Sequence, residues 1–152
     1  MGAQSVVLAD AALRHPEPAG LVGWALGVLL YALAAVPVAR RLLSGSVGAA
    51  RLTPPYWVGM GGMAISVLAG AALLPRWPAL DVPLLVMWAW ASALIPVLAG
   101  AMLWRHAVRR VPLRYETGWW SVVFPIGMYA VASSELGAGL DVAWLRALGH
   151  GA

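Results

Sequence analysis

The side chains best suited to acid–base or metal chemistry in this sequence are six carboxylates and three histidines, and their spacing builds no site. Asp10, Glu17, Asp81, Glu116, Glu135 and Asp141 fall in connecting segments or at the ends of long apolar runs, as do His15, His106 and His150. A proton relay or a cation site of buried carboxylates needs ionisable groups inside an apolar segment. Haem ligation in a helical bundle needs histidines that face each other there. The absence of cysteine removes disulfides, thiolate metal sites and thiol nucleophiles together. His106, in the run Trp104-Arg105-His106, reads as an interfacial loop residue rather than a ligand. No enzyme activity, metal or cofactor is expected.

What remains is a chemistry of small residues and rings. Gly59, Gly61, Gly62, Ala64, Ser66, Ala69 and Gly70 crowd one apolar run, and Gly62, Ser66 and Gly70 fall four apart. That spacing lets helix backbones approach closely. It also leaves room for a weakly polar path, for which Gly59, Gly62, Ser66 and Gly70 are the lining candidates. Gly23 and Gly27 repeat the spacing, and packing alone accounts for them. Farther on, Phe124-Pro125 is followed by Gly127. Proline removes a backbone hydrogen bond and bends a helix, freeing a carbonyl. The plain reading is a structural bend; the functional one is a ring beside the bend acting as a hydrophobic constriction. Pro96 marks a second bend without an aromatic partner of this kind.

These residues must be carried by elements suited to lipid. The chain of 152 residues is 62% hydrophobic and 11% charged, with a mean hydropathy of +0.80. That is far more apolar than a soluble domain of this size requires. Nine tryptophans, several at the ends of apolar runs, suit the headgroup boundary. Four runs, 19–39, 56–74, 82–104 and 119–136, are each about long enough to cross a hydrocarbon core that takes roughly 20 helical residues. The last is the shortest and reaches Leu136 by leaving Glu135 at the interface. A backbone in lipid must satisfy its own hydrogen bonds, so the expectation is an all-α, polytopic membrane bundle with four transmembrane helices in a single membrane domain. Thr53-Pro54-Pro55 and Asp81-Val82-Pro83 carry start signals for the second and third helices. Met1–Leu13 lacks the basic flank and cleavage site of a signal peptide and reads as the end of a helix or an interfacial stub.

All ten basic residues are arginine. Arg40, Arg41 and Arg51 lie between the first two runs, and Arg105, Arg109, Arg110 and Arg114 between the last two, against Arg14, Arg76 and Arg146 elsewhere. The positive-inside rule makes the arginine-rich loops, 40–55 and 105–118, cytoplasmic in a cell-membrane protein, with both chain ends outside. The pI near 10.4 thus reports orientation, and no nucleic acid is expected as a partner. A weak internal repeat aligns YWVGMGGMAISVLAG with WWSVVFPIGMYAVAS, two like-oriented helices that each follow a basic, proline-containing loop. Helix repeats are common in transporters, and their centres often hold the pathway.

Four segments, in order, resemble the tellurite-resistance/C4-dicarboxylate transporter family, which includes the plant guard-cell slow anion channels. They are Leu52-Thr53-Pro54-Pro55-Tyr56-Trp57, the Gly/Ala-rich run ending Leu68-Ala69-Gly70, the loop from Trp104 through Arg109-Arg110-Val111-Pro112-Leu113-Arg114-Tyr115, and WWSVVFPIGMYAVAS. The resemblance covers about Leu21 to Leu136. It implies a ten-helix fold of five hairpins around a central pore, usually a homotrimer, that conducts or exports small inorganic or dicarboxylate anions. It also implies that an aromatic ring occludes the pore, which by motif is Phe124, with Pro125 bending its helix. Many relatives carry Asn where this chain has Gly59, so that polar contact is absent or made by backbone. By the same resemblance the four spans correspond to helices six to nine, Met1–Leu13 to the tail of helix five, and the chain to part of the ring. The competing expectation is a truncated, non-transporting membrane protein or a packing subunit.

Overall fold

The structure is a computed structural model, and it describes residues 18–44, 53–112 and 117–151. The expectations placed on Met1–Leu13, Arg14, His15, Glu17, Arg51, Leu52 and 113–116 lie outside the described residues. Every regular element among those described is helical. Helix α1 is Pro18–Leu43, α2 is Trp57–Ala71, α3 is Asp81–Leu103, α4 is Trp120–Gly139 and α5 is Ala143–Gly151. Short 3-10 turns, Pro54–Tyr56, Pro78–Leu80 and Thr117–Trp119, lead into α2, α3 and α4, and a π-helical turn, Trp104–Val108, ends α3.

Among the described residues, three helical stretches are long and apolar enough to cross a membrane: Pro18–Arg41, Pro78–Val108 and Thr117–Gly139. The expected second span is shorter than its apolar run. Its α-helix occupies 15 residues, and Ala72–Arg76 form turns. This helix is nevertheless the centre of the molecule. Of its residues, Trp57, Met60 to Val67 and Ala69 to Ala71 are buried, whereas α1 and α3 bury few of theirs.

The expected start signals act differently from their sequence reading. Thr53 precedes the first 3-10 turn in extended conformation, but its side chain caps nothing; its carbonyl accepts from Tyr56 N at 3.1 Å. Asp81 is the first residue of α3 rather than its cap, and its Oδ1 accepts from Val82 N at 2.6 Å. A carboxylate in the first turn still complements the helix dipole.

Helices α2 and α4 run parallel and form the most extensive contact in the bundle. Gly118 faces Pro54 and Pro55, Gly61 faces Pro125, and Gly139 faces Leu74, so partners keep a separation of 63–65 residues along the whole seam. Each helix is introduced by a 3-10 turn ending in an aromatic residue, Tyr56 or Trp119. The two halves of the weak sequence repeat thus lie side by side. Between them in the chain, α3 returns antiparallel, with Leu84 on Gly70, and α1 is also antiparallel to α2, with Trp24 against Ser66 and Gly70. Lipid is as apolar as these side chains, so small residues along the seam and hydrogen bonds between the other helix pairs, more than hydrophobic burial, hold the bundle.

The fifth helix was not anticipated. The chain reverses at Leu140–Val142, with Asp141 at φ 56°, and α5 folds back on α4. Gly137 and Gly149 make the approach possible, because a Cβ at Gly149 would lie 2.6 Å from the Ala130 carbonyl oxygen. Arg146 Nη2 donates to Asp141 Oδ1 at 2.7 Å across the turn. The bundle ends differ in charge: Arg40, Arg41, Arg105, Arg109 and Arg110 lie at one, while Arg76, Asp81, Glu135, Asp141 and Arg146 lie at the other.

Candidate functional site

Pro125 and Gly61 fix the rotation of α4. Pro125 is fully buried, and a Cβ on Gly61 would stand 2.9 Å from its Cγ and 3.3 Å from its Cα. With the proline held in the seam, the preceding side chain is turned away from it, and Phe124 is 55% exposed. Phe124, Val58, Trp120, Ser121 and Pro125 wall a cleft of 250 Å³. Gly127 lies outside this cleft on an exposed part of α4, where an added Cβ would meet nothing within 4 Å.

A larger cavity of 680 Å³ opens where α1 and α3 flank one face of α2. Gly59, Gly62 and Ser66 form part of its lining, and Val58 borders both hollows. Gly70 borders neither; its place is in packing, where a Cβ would come within 2.8 Å of Trp24 Nε1 and meet Leu84. Ser66 turns its hydroxyl back along its own helix, donating to the Gly62 carbonyl at 2.9 Å, and its carbonyl accepts from Trp24 Nε1 at 2.8 Å. The structure therefore separates the sequence candidates into two groups, with Phe124 and Pro125 at one hollow and Gly59, Gly62 and Ser66 at the other.

A polar ladder between α3 and α4 escaped the sequence reading. Trp88 Nε1 donates to Ser133 Oγ at 2.9 Å, and Ser92 Oγ and Tyr129 OH are 2.6 Å apart. Both serines also donate to the carbonyl four residues earlier, Ser92 to Trp88 and Ser133 to Tyr129, each at 2.8 Å. The Trp88 ring stacks on Tyr129 with centroids 6.0 Å apart and meets Trp144 of α5 edge-on at 5.7 Å. The sequence signal was present as two aromatic–serine pairs at four-residue spacing, Trp88/Ser92 and Tyr129/Ser133.

At the arginine-rich end, His106 belongs to the π-helical turn. Its Nδ1 is 2.8 Å from the Val111 carbonyl, which requires the proton on that nitrogen, and its ring stacks on Trp119 at 6.0 Å. Arg109 lies over Trp104 at 5.3 Å, and Arg105 is buried. These contacts tie the end of α3 to the turn that starts α4. Among the described residues no group of three or more His, Asp or Glu side chains is placed to hold a metal ion.

Comparison with known proteins agrees with this membrane architecture. The uncharacterized membrane protein Rv1735c of Mycobacterium tuberculosis is 42% identical over 135 residues, covering 81% of this chain and 67% of its own. The uncharacterized transporters MJ0576 and MJ0762 of Methanocaldococcus jannaschii are 29% and 27% identical over 119 residues, covering 75% of this chain and 34% of each relative. The chain thus spans two thirds of the mycobacterial relative and about a third of the archaeal ones. No solved structure matches it. The sequence matches the voltage-dependent anion channel (SLAC1) family from residue 2 to residue 152, and with apolar membrane-length helices and transporter-named relatives in agreement, the chain belongs to that family.

Proposed function

We propose that the chain contributes helices to a pathway for small inorganic or dicarboxylate anions, in which Phe124 is the constriction. Family membership supports anion transport, and the observation that carries the gate is the position of Phe124 itself. The ring stands 55% exposed, outside the packed core, while its neighbour Pro125 is locked against Gly61. A ring so placed is free to change rotamer without disturbing the seam beneath it. We assign the path to this side of α2 and α4, along Val58 and Phe124, with Gly127 leaving space deeper in. Passage past an apolar ring is then governed by ion size and dehydration, and among the described residues no charged side chain lines the cleft to trap the ion. The arginine-rich end faces the cytoplasm on this reading and raises the local anion concentration at the mouth. Helix α2 counts as the fourth span, because with its 3-10 turn it rises about 28 Å, close to a hydrocarbon core of about 30 Å. Further helices, from a longer chain or from other copies, complete the ring, and a trimer is the expected assembly.

The test is anion flux in proteoliposomes carrying the purified protein, with chloride and a C4 dicarboxylate offered separately. Phe124→Ala should raise basal flux at least severalfold over the unsubstituted protein. Flux that is present and unchanged by the substitution would sink the gate assignment. A folded, inserted protein that passes neither anion, with or without Phe124, would favour the second reading, a packing subunit without transport of its own.

A further inference from the structure

We propose that the 680 Å³ cavity between α1, α2 and α3 is a binding site for one anionic glycerophospholipid, with its phosphate at Arg40 and Arg41 and an acyl chain lying in the trough. The volume falls inside the range of about 300–1,000 Å³ typical of ligand sites. The walls come from three helices and are almost wholly apolar: Ala34 and Leu30 from α1, Trp90 and Leu94 from α3. The floor lacks side chains at Gly59 and Gly62, which is what makes it a trough. At its deep end Ser66 donates its hydroxyl proton to its own helix, and the Tyr31 hydroxyl and Trp90, also in the lining, are hydrogen-bonded to each other.

Charge appears at one end only. Arg41 is the single charged side chain in the lining among the described residues, and Arg40 adjoins it in the last turns of α1. Tyr56, from the turn that starts α2, borders the same mouth. From Gly27 at the deep end to Arg41 the cavity follows α1 for about 21 Å of helix rise. That is about half the thickness of a bilayer of roughly 40–45 Å including headgroups, so the trough reaches from the midplane to the headgroup layer of one leaflet. A basic mouth over an apolar slot of one leaflet's depth fits an anionic headgroup with its acyl chain, and basic pockets between membrane helices are known to take such headgroups. The inference rests on the chain lying in a bilayer and is independent of the gate assigned to Phe124.

Trp90 lines the cavity and reports on its occupant. The experiment titrates phosphatidylglycerol carrying brominated acyl chains, and separately brominated phosphatidylcholine, into the detergent-solubilised protein and follows tryptophan quenching. The expected result is a saturable component seen with phosphatidylglycerol alone and missing in Trp90→Phe. Arg40→Gln and Arg41→Gln should each raise the lipid needed for half-quenching about fivefold. Gly59→Leu should abolish the component by filling the floor; the space around Gly59 makes this variant tolerable, and Ala34→Leu serves the same purpose from the opposite wall if its circular dichroism differs from that of the parent. Equal, unsaturable quenching by both lipids, or a component that survives Trp90→Phe, would overturn the proposal. So would a Trp90 that neither lipid quenches, the result expected if a second copy or another segment of the chain fills the cavity. Anion flux enters none of these readouts, so failure here leaves the Phe124 reading untouched, and the reverse also holds.

Discussion

Gly59 and Gly61 are two residues apart on α2, yet substitutions at them should act in opposite directions. A methyl at Gly61 drives into the stiff Pro125 ring and its backbone, so Gly61→Ala should destabilise by about 1–3 kcal/mol through overpacking of a tight seam. At Gly59 the added carbon meets nothing within 4 Å, and Gly59→Ala should be neutral or stabilising by up to about 1 kcal/mol through helix propensity. Thermal unfolding in detergent, followed by tryptophan emission, separates the two. The same assay distinguishes a ring on an open face from a core side chain. Leu136 is fully buried, and Leu136→Ala should cost about 2–5 kcal/mol. Phe124→Ala should cost well under that range, and a loss comparable to Leu136→Ala would make Phe124 a packing residue. Phe124 was legible as a candidate from the Phe-Pro motif. That Gly70 belongs to packing was not, because spacing places small residues on one stripe without saying which neighbour each one meets.

At the scale of elements, α3 and α4 are held by side chains reaching across a gap rather than by close backbone approach. The hydrogen bond from Trp88 to Ser133 is accordingly the place to measure their coupling. A double-mutant cycle of Trp88→Phe with Ser133→Ala should return about 0.6 kcal/mol, the average for membrane helices, and no more than about 1.7 kcal/mol. A coupling near zero would mean that the ladder follows the packing of α3 and α4 and does not cause it. The salt bridge from Arg146 to Asp141 is solvent-exposed, and its loss in Asp141→Asn should change stability by under about 1 kcal/mol. The attachment of α5 depends instead on Gly137 and Gly149. Run lengths and composition set the helices α1 to α4 to within a few residues. They gave no warning of α5, because a nine-residue helix after a turn leaves no long apolar run in the sequence.

For the whole molecule, the question a single measurement decides is whether α2 crosses the bilayer. The native chain has no cysteine, so single substitutions report topology directly. Ser44→Cys and Ala79→Cys flank α2, and a membrane-impermeant thiol reagent should label them from opposite sides, with Ser44→Cys accessible from the cytoplasm. Labelling from the same side would remove α2 as a span and with it the agreement between the two arginine-rich connections. The sequence by itself determined that the chain is an all-α membrane protein of this family, where its long helices lie and which end carries the arginines. Those properties follow from local hydropathy, run length and charge, all written residue by residue. Only the tertiary structure decided that α2 and α4 run parallel along a glycine–proline seam, that Phe124 faces away from that seam, and that Gly59, Gly62 and Ser66 floor a cavity apart from it. The reason is that these helices are apolar on every side. In water an amphipathic stripe records which face of a helix is buried, but lipid is as apolar as a neighbouring helix, so rotation about each axis is set by contacts that the pattern of apolar residues does not encode.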